Sequence, residues 1–148
     1  MEFLVAIFAA LAGALLTYLA QTYFAMHSED SSHLSDHVGE VRIIESYAVE
    51  YWLADPKEDA AKQRHFQAKL EGAVSASSCF NEDARRILGW RYGEYVDLDQ
   101  KIYDAATGGS FGSSDKEVEY NRVVEIMSLC NQMRSLLRQA RRGQYGAK

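Results

Sequence analysis

FLVAIFAALAGALLTYLAQTYFAM, residues 3–26, runs for 24 residues without a charged side chain. A helix of about 20 apolar residues crosses the hydrocarbon core of a bilayer. A cleaved signal peptide begins with basic residues and ends at a small-x-small site, whereas here Glu2 precedes the run. We therefore expect a retained membrane anchor, with Tyr18 and Tyr23 near one interface. The alternative is a buried core helix.

Orientation has to be inferred from other residues, because no Lys or Arg closely flanks this apolar run and the positive-inside rule gives no direction. Cys79 and Cys130 lie far apart without a CxxC or His-rich neighbourhood, which favours two buried, reduced thiols over a disulfide or a zinc site. The chain also contains no N-x-[ST] sequon. These features predict a C-terminal domain in a reducing cytoplasm.

Small or weakly polar residues recur along one face of the run, at i, i+3 and i+4 spacing. We call Ala9, Gly13, Thr17 and Gln21 the small-residue face. Such a face lets helices approach closely, and an amide such as that of Gln21 usually faces a partner helix or a water path rather than lipid. The pattern predicts a homo-oligomer whose pore or contact surface is this face. The alternative is a lone anchor whose small residues have no role.

Beyond the run, the spacing of apolar residues predicts four helices and no strand. The first can continue from the run through residues 28–35, and the second begins at Asp55-Pro56-Lys57-Glu58 with a capping-box-like start. The third begins at Asn81 or Asp83 and ends at Thr107-Gly108-Gly109, and Ser114-x-x-Glu117 opens the last. The predicted core residues are Leu34, Val38, Val41, Ile44, Ala48, Tyr51 and Trp52 in the first helix, Ala84, Ile87, Leu88, Tyr95, Leu98, Ile102 and Ala105 in the third, and Val118, Val124, Met127, Leu129, Cys130, Leu136 and Leu137 in the last. The expected fold is all-α, with one transmembrane helix (1–26) followed by a four-helix cytosolic bundle (27–148).

Catalytic chemistry is not indicated by any motif, so we expect no enzyme and no cofactor. His33 and His37 stand one helical turn apart, but two histidines without a third fixed ligand are more typical of a solvated face than of a zinc site. Asp97 and Asp99 are expected on an exposed helix face. The sequence has no Walker loop, G-x-S-x-G or H-E-x-x-H motif.

The stretch RRILGWRYGEY, residues 85–95, combines arginines and aromatics in a chain of net charge -5. Arginine forks bind phosphates and aromatic faces stack on bases, which suits a nucleotide or a single-stranded oligonucleotide. The same residue types are favoured at protein interfaces. The candidate ligand residues in this stretch are Arg85, Arg86, Trp90, Arg91 and Tyr92. Three interpretations remain open, namely nucleotide recognition, subunit packing and plain core.

The last predicted helix carries a basic ridge of Arg134, Arg138 and Arg141 at i, i+4 and i+7, and residues 134–148 contain no acid. This ridge suits phosphates or anionic lipid headgroups, or it complements the negative end of its own helix dipole. Duplex DNA is disfavoured as a partner, because an acidic chain without a long basic stripe offers little to the phosphate backbone.

The stretch EVRIIESYAVEYWLADP, residues 40–56, follows the N-terminal apolar run, and this layout resembles the small membrane effectors of bacterial antiphage defence systems of the Hailong protein A type. A second resemblance is to the membrane effectors of type III CRISPR systems that sense cyclic tetra-adenylate. The resemblance implies a helical cytosolic domain that binds an adenine oligonucleotide, either single-stranded DNA or a cyclic oligoadenylate. It also implies an oligomeric channel or pore in the bacterial inner membrane. We expect the homo-oligomer to be a tetramer. The competing hypothesis is a membrane-tethered adaptor or scaffold that binds a protein partner.

Overall fold

Five α-helices follow one another in the computed structural model, which describes residues 2–57 and 60–146. They are α1 (Glu2–Leu53), α2 (Ala60–Ser77), α3 (Asn81–Leu88), α4 (Tyr92–Thr107) and α5 (Tyr120–Gly146). Short 3₁₀ turns at Ser78–Phe80 and Gly89–Arg91 link α2 to α3 and α3 to α4. The described residues contain no strand, so the predicted all-α class is confirmed. The chain divides into two compact units, Met1–His33 and Leu34–Lys148.

The apolar run lies in the N-terminal part of α1. Within the described part of the chain, α1 is the one helix that is long and apolar enough to cross a membrane by length and composition, and none of its apolar window is buried. Large side chains such as Phe8, Leu11 and Leu16 are mostly exposed. A core helix buries such side chains, so the structure does not support the alternative of a core helix.

The C-terminal part of α1 provides the central core face of the second unit. Leu34, Val41, Ile44, Ala48 and Trp52 recur at helical spacing and are buried, as the sequence predicts. The helix has no break between Glu2 and Leu53, which confirms that the helical pattern continues through residues 28–35. One helix therefore carries both the exposed apolar run and a core face.

The predicted start of the second helix is wrong. Helix α2 begins at Ala60, Pro56 lies in a turn, and Glu58 falls outside the described residues. The Lys57 amide donates a hydrogen bond to Asp55 Oδ1 at 2.9 Å. Asp55 therefore caps this tight turn instead of the first turn of a helix.

The predicted third helix is divided, which leaves the four-helix bundle unconfirmed. Its predicted core residues are all buried, and α4 ends at Thr107 as expected. However, Gly89 adopts φ 55° and ψ −121°, which no α-helical residue does. This combination matches the first central residue of a type II′ turn, a position that favours glycine. The chain therefore turns between α3 and α4.

The last helix begins at Tyr120, six residues later than the predicted cap at Ser114. The reason is Lys116, which is buried against the end of α1 and donates from Nζ to the carbonyl of Ala54 at 2.7 Å. The Glu119 amide also donates to the carbonyl of Trp52 at 3.4 Å. These contacts hold the segment before α5 along the C-terminal end of α1, where it satisfies carbonyls that a helix end leaves unpaired.

The predicted core face of α5 is also partly wrong. Val124 and Met127 are exposed and Val118 is half-buried, whereas Cys130, Leu136 and Leu137 are buried as predicted. Leu129 packs at the margin of the core. The core face is formed by Val123, Ile126, Cys130, Met133, Leu136 and Leu137.

Candidate functional site

Trp90 is the most exposed large apolar side chain among the described residues, at 87% exposure. It follows Gly89, whose backbone turn directs the chain out of α3. A groove of about 410 Å³ lies beside it, lined by Trp90, Arg91, Ile87, Gln139 and Gly143 among others. The stretch RRILGWRYGEY therefore presents an aromatic side chain to solvent, which rules out the plain-core interpretation for this residue.

Arg91 contacts the Trp90 ring and also binds α5. Its guanidinium lies 5.1 Å from the centre of the Trp90 ring, in cation–π range. The same guanidinium donates to Gln139 Oε1 at 2.6 Å and to the carbonyl of Leu136 at 3.4 Å, both on α5. Part of its donor capacity is thus used to attach the turn to α5. Arg91 is a positioning group for Trp90 with some remaining capacity for an anion.

The other three candidates in the stretch do not line this groove. Arg85 is exposed and makes no hydrogen bond with a described residue, and Arg86 is exposed with an ion pair to Asp83 at 3.0 Å. Tyr92 is half-buried and stacks on Tyr95 with ring centres 6.4 Å apart. The structure therefore brings together Trp90 and Arg91, but not the full predicted set.

The predicted basic ridge is split by an ion pair. Arg134 is half-buried and pairs with Glu45 of α1, so its charge is already compensated within the chain. Arg138 and Arg141, one and two turns further along α5, are exposed and form no ion pair with a described residue. Both line a second groove, between α5 and α1.

This second groove, of about 260 Å³, contains a third arginine that the sequence did not suggest. Arg42 of α1 faces Arg138 and Arg141 across it, with Ser35 and Gly39 also in the wall. Its floor is formed by Leu34, Val38 and Leu137, and no acidic residue lines it. We call this the arginine groove. Arg42 was missed because it stands among acids in the sequence, and only the packing of α1 on α5 places it beside the ridge.

His37 lies inside the second unit, which corrects its predicted place on a solvated face. It is 1% exposed and stacks on Phe80 with ring centres 4.1 Å apart. Its Nδ1 lies 2.7 Å from Glu40 Oε2 and its Nε2 lies 3.3 Å from Tyr95 Oη, whose hydroxyl donates to Asn81 Oδ1 at 2.8 Å. The ring links α1 to α4 through a buried polar network.

Burial dominates the titration of this network. It lowers the pKa of His37 in spite of the opposing effects of Glu40 and Asp99. It raises the pKa of the Asp99 carboxyl, which is half-buried and not on a fully exposed face as predicted.

Cys79 also departs from prediction, because it is exposed whereas Cys130 is buried. In the described residues, no group of three His, Cys, Asp or Glu side chains is placed to hold a metal ion.

The small-residue face remains open in the single chain. Ala9, Gly13, Thr17 and Gln21 are exposed, and a Cβ added at Gly13 meets no atom within 4 Å. The Thr17 hydroxyl donates to the Gly13 carbonyl at 2.8 Å, so it is satisfied within the helix. The Gln21 amide makes no hydrogen bond with a described residue. This face is therefore available to another helix or to water.

Two exposed features of the second unit are thus suited to binding, the Trp90 side chain with its groove and the arginine groove. Both border the C-terminal part of α5, through Gln139 and Gly143 in one case and through Arg138 and Arg141 in the other. Comparisons of the chain with models of protein families, with curated proteins and with solved structures found no match.

Proposed function

We propose that this protein is an oligomeric membrane effector of antiviral defence, an ion channel or pore gated by an oligonucleotide that binds its C-terminal domain. The observation that carries the proposal is the unbroken helix α1, which has an exposed apolar run at one end and the core of a helical domain at the other. This combination suits a protein that couples a binding domain to a membrane. The role is one of binding and conduction, without catalysis.

A bilayer is the environment that the apolar run favours. As a helix, residues 3–26 extend for about 36 Å at about 1.5 Å per residue, enough to cross the hydrocarbon core of about 30 Å. Exposed apolar surface costs about 25 cal/mol per Å² in water, and lipid removes that cost. We place the run in the bacterial inner membrane as a single crossing, with the C-terminal domain in the cytoplasm.

Assembly through the small-residue face completes the proposed pore. Gly13 lets backbones approach, while the unpaired Gln21 amide gains a partner or water when several copies meet. A homo-oligomer, expected to be a tetramer, would place Thr17 and Gln21 along a central path.

The proposed ligand is an adenine oligonucleotide, either single-stranded DNA or a cyclic oligoadenylate. The exposed Trp90 ring offers a stacking surface for a base, and the arginines of α5 offer partners for phosphates. This ligand class also follows from the resemblance to antiphage membrane effectors. Ligand bound to the C-terminal domains would favour one arrangement of them, and α1 would carry that preference to the small-residue face.

Purification of the full chain in detergent tests the proposal. Mass photometry should show a homo-oligomer, the preparation should carry excess ultraviolet absorbance from bound nucleic acid, and the reconstituted protein should conduct ions. Gln21→Leu should reduce ion flux in liposomes without altering assembly, because an apolar constriction dewets. Thr22→Val is the matched control, since its hydroxyl bonds within α1 to the Tyr18 carbonyl. Flux that is absent under every ligand condition contradicts a channel.

A membrane-tethered adaptor is the second candidate, and the exposure of Trp90 is the observation that favours it. Tryptophan and arginine are the preferred anchors of protein interfaces, and Trp90 with Arg91 presents both. An adaptor predicts that Trp90→Ala abolishes capture of a protein partner and that wild-type protein conducts no ions.

A further inference from the structure

We infer that the arginine groove is a binding site for a phosphate group, held by Arg42 of α1 together with Arg138 and Arg141 of α5. This inference rests on the proposed function, because the phosphate would belong to the ligand that the C-terminal domain is proposed to bind. Phosphate binding is nevertheless measured without reference to conduction, so the two can fail separately. The site adds Arg42, which no motif in the sequence indicated.

The arginine groove carries positive charge without a matching acid. Three arginines from two helices line one small groove, and no acid lines it. None of the three forms an ion pair with a described residue. Like charges held close together repel each other, and an anion between them removes that cost. All three side chains are exposed, so a phosphate from solution can reach them.

A neighbouring arginine on the same two helices already has an acidic partner. One turn before Arg138, Arg134 is paired with Glu45, and Glu45 lies one turn after Arg42 on α1. The interface between α1 and α5 thus carries one compensated arginine followed by three uncompensated ones. The groove arginines are more exposed than Arg134 and have no acid beside them, so an anion from outside the chain can take the place that Glu45 has at Arg134.

A phosphate fits this groove better than a carboxylate. A single arginine is enough to pair a carboxylate, as Arg134 does for Glu45. A phosphate offers acceptor oxygens to more than one arginine, and it carries about one negative charge as a diester or up to about two as a monoester. The Ser35 hydroxyl adds a neutral donor, and Gly39 leaves the wall without a side chain. At about 260 Å³ the groove is smaller than the roughly 300–1,000 Å³ of pockets for drug-sized ligands. It suits a phosphate and its ester oxygens without an attached base.

The helix dipole does not account for all three arginines. The last turn of α5, which ends at Gly146, contains no basic residue, so Arg138 and Arg141 lie before the region where the dipole favours cations. Arg42 lies three turns before the end of α1 and is also outside that range. A bound anion explains the three positions together.

Two sources can supply this phosphate, a soluble phosphate ester or a lipid headgroup, and the experiment separates them. The full chain is purified in dodecylmaltoside, which contains no phosphorus. Phosphorus NMR follows titration with inorganic phosphate, and native mass spectrometry measures retention of added phosphatidylglycerol, with phosphatidylcholine as the comparator. Binding of inorganic phosphate identifies a soluble source, and selective retention of phosphatidylglycerol alone identifies a lipid source.

The expected result is that Arg42→Gln, Arg138→Gln and Arg141→Gln each weaken the observed binding by about tenfold or more, since each deletes a charge-assisted hydrogen bond. Gly39→Leu should weaken it with all charges intact, because a side chain there projects into open space and fills the groove. Arg64→Gln is the charge-matched control, because Arg64 is an exposed residue of α2 outside the groove, and it should bind as wild type does.

Two outcomes overturn the inference. One is wild-type protein that binds neither inorganic phosphate nor phosphatidylglycerol. The other is an Arg42→Gln protein that binds as well as the Arg64→Gln protein, which would mean that attraction is only general. If the groove variants lose phosphate binding but the wild-type protein never conducts ions, the phosphate site stands and the proposed channel is wrong. Each arginine variant should fold, since glutamine and arginine have similar helix propensities. The melting curve of every variant is the check.

Discussion

The turn at Gly89 predicts opposite effects for two alanine substitutions four residues apart. At Gly89, φ 55° and ψ −121° are unfavourable for any residue with a Cβ, at a cost of about 1–3 kcal/mol. An added Cβ meets no atom within 4 Å, so steric clash adds nothing. Alanine also lowers the conformational entropy of the unfolded chain, which stabilises the folded protein by about 0.4–1 kcal/mol. We expect Gly89→Ala to lower the free energy of unfolding by about 1–2 kcal/mol, from these two opposing terms.

Gly93 is the matched control, because it lies inside α4 and its Cβ position is equally open. There alanine should raise the free energy of unfolding by about 0.5–1 kcal/mol, since helical glycine is unfavourable. Urea denaturation of both variants in mild detergent, followed by far-ultraviolet circular dichroism, gives the comparison. If Gly89→Ala is stabilised as much as Gly93→Ala, residues 81–107 form one continuous helix and the turn that presents Trp90 does not exist.

Four further predictions test other parts of the structure. Because burial lowers the pKa of His37, the unfolded chain binds a proton first as pH falls below about 6.5, so stability measured by urea titration should drop in that range and drop less in His37→Gln. Lys116→Met should cost about 1–3 kcal/mol of unfolding free energy by leaving buried carbonyls unpaired, whereas Lys101→Met, which removes a surface pair, should change it by less than about 1 kcal/mol. Gly13→Leu should shift the mass-photometry distribution to smaller species, and an unchanged oligomer would mean that the small-residue face is not the contact. Trp90→Ala should weaken oligoadenylate binding by about 1–3 kcal/mol in calorimetry with an unchanged salt slope, and equal binding would remove Trp90 from the site.

Apolar spacing predicted most of the fold, because a helix with a single apolar stripe has only one face that it can bury. In the C-terminal part of α1, most residues between the core positions are polar, and the buried face is the predicted one except that Val38 is only half-buried. In α5, two apolar stripes interleave, and the sequence alone does not say which is buried. The prediction placed Val124 and Met127 in the core, but packing against the other helices selects Val123 and Ile126.

The candidate site was less predictable because it depends on contacts distant in sequence. The basic ridge was visible from its spacing, but the loss of Arg134 to Glu45 and the addition of Arg42 both require α1 to pack on α5. Lys116 was hidden in the same way, since a capping box at Ser114 looks identical whether or not the next lysine is buried. Local patterns predict helices, whereas charge pairing across helices needs the tertiary structure.

The two tryptophans of this chain occupy opposite environments, and this gives the protein two separate optical signals. Trp52 is fully buried, donates from Nε1 to the Ala106 carbonyl at 2.9 Å and has the Arg122 guanidinium 4.1 Å from its ring centre. Trp90 is open to solvent at the edge of its groove. A soluble fluorescence quencher therefore reaches Trp90 in the folded protein and reaches Trp52 only after unfolding. A ligand or partner that covers Trp90 protects its emission while that of Trp52 stays unchanged, so one quenching titration distinguishes occupancy of the surface from loss of the fold.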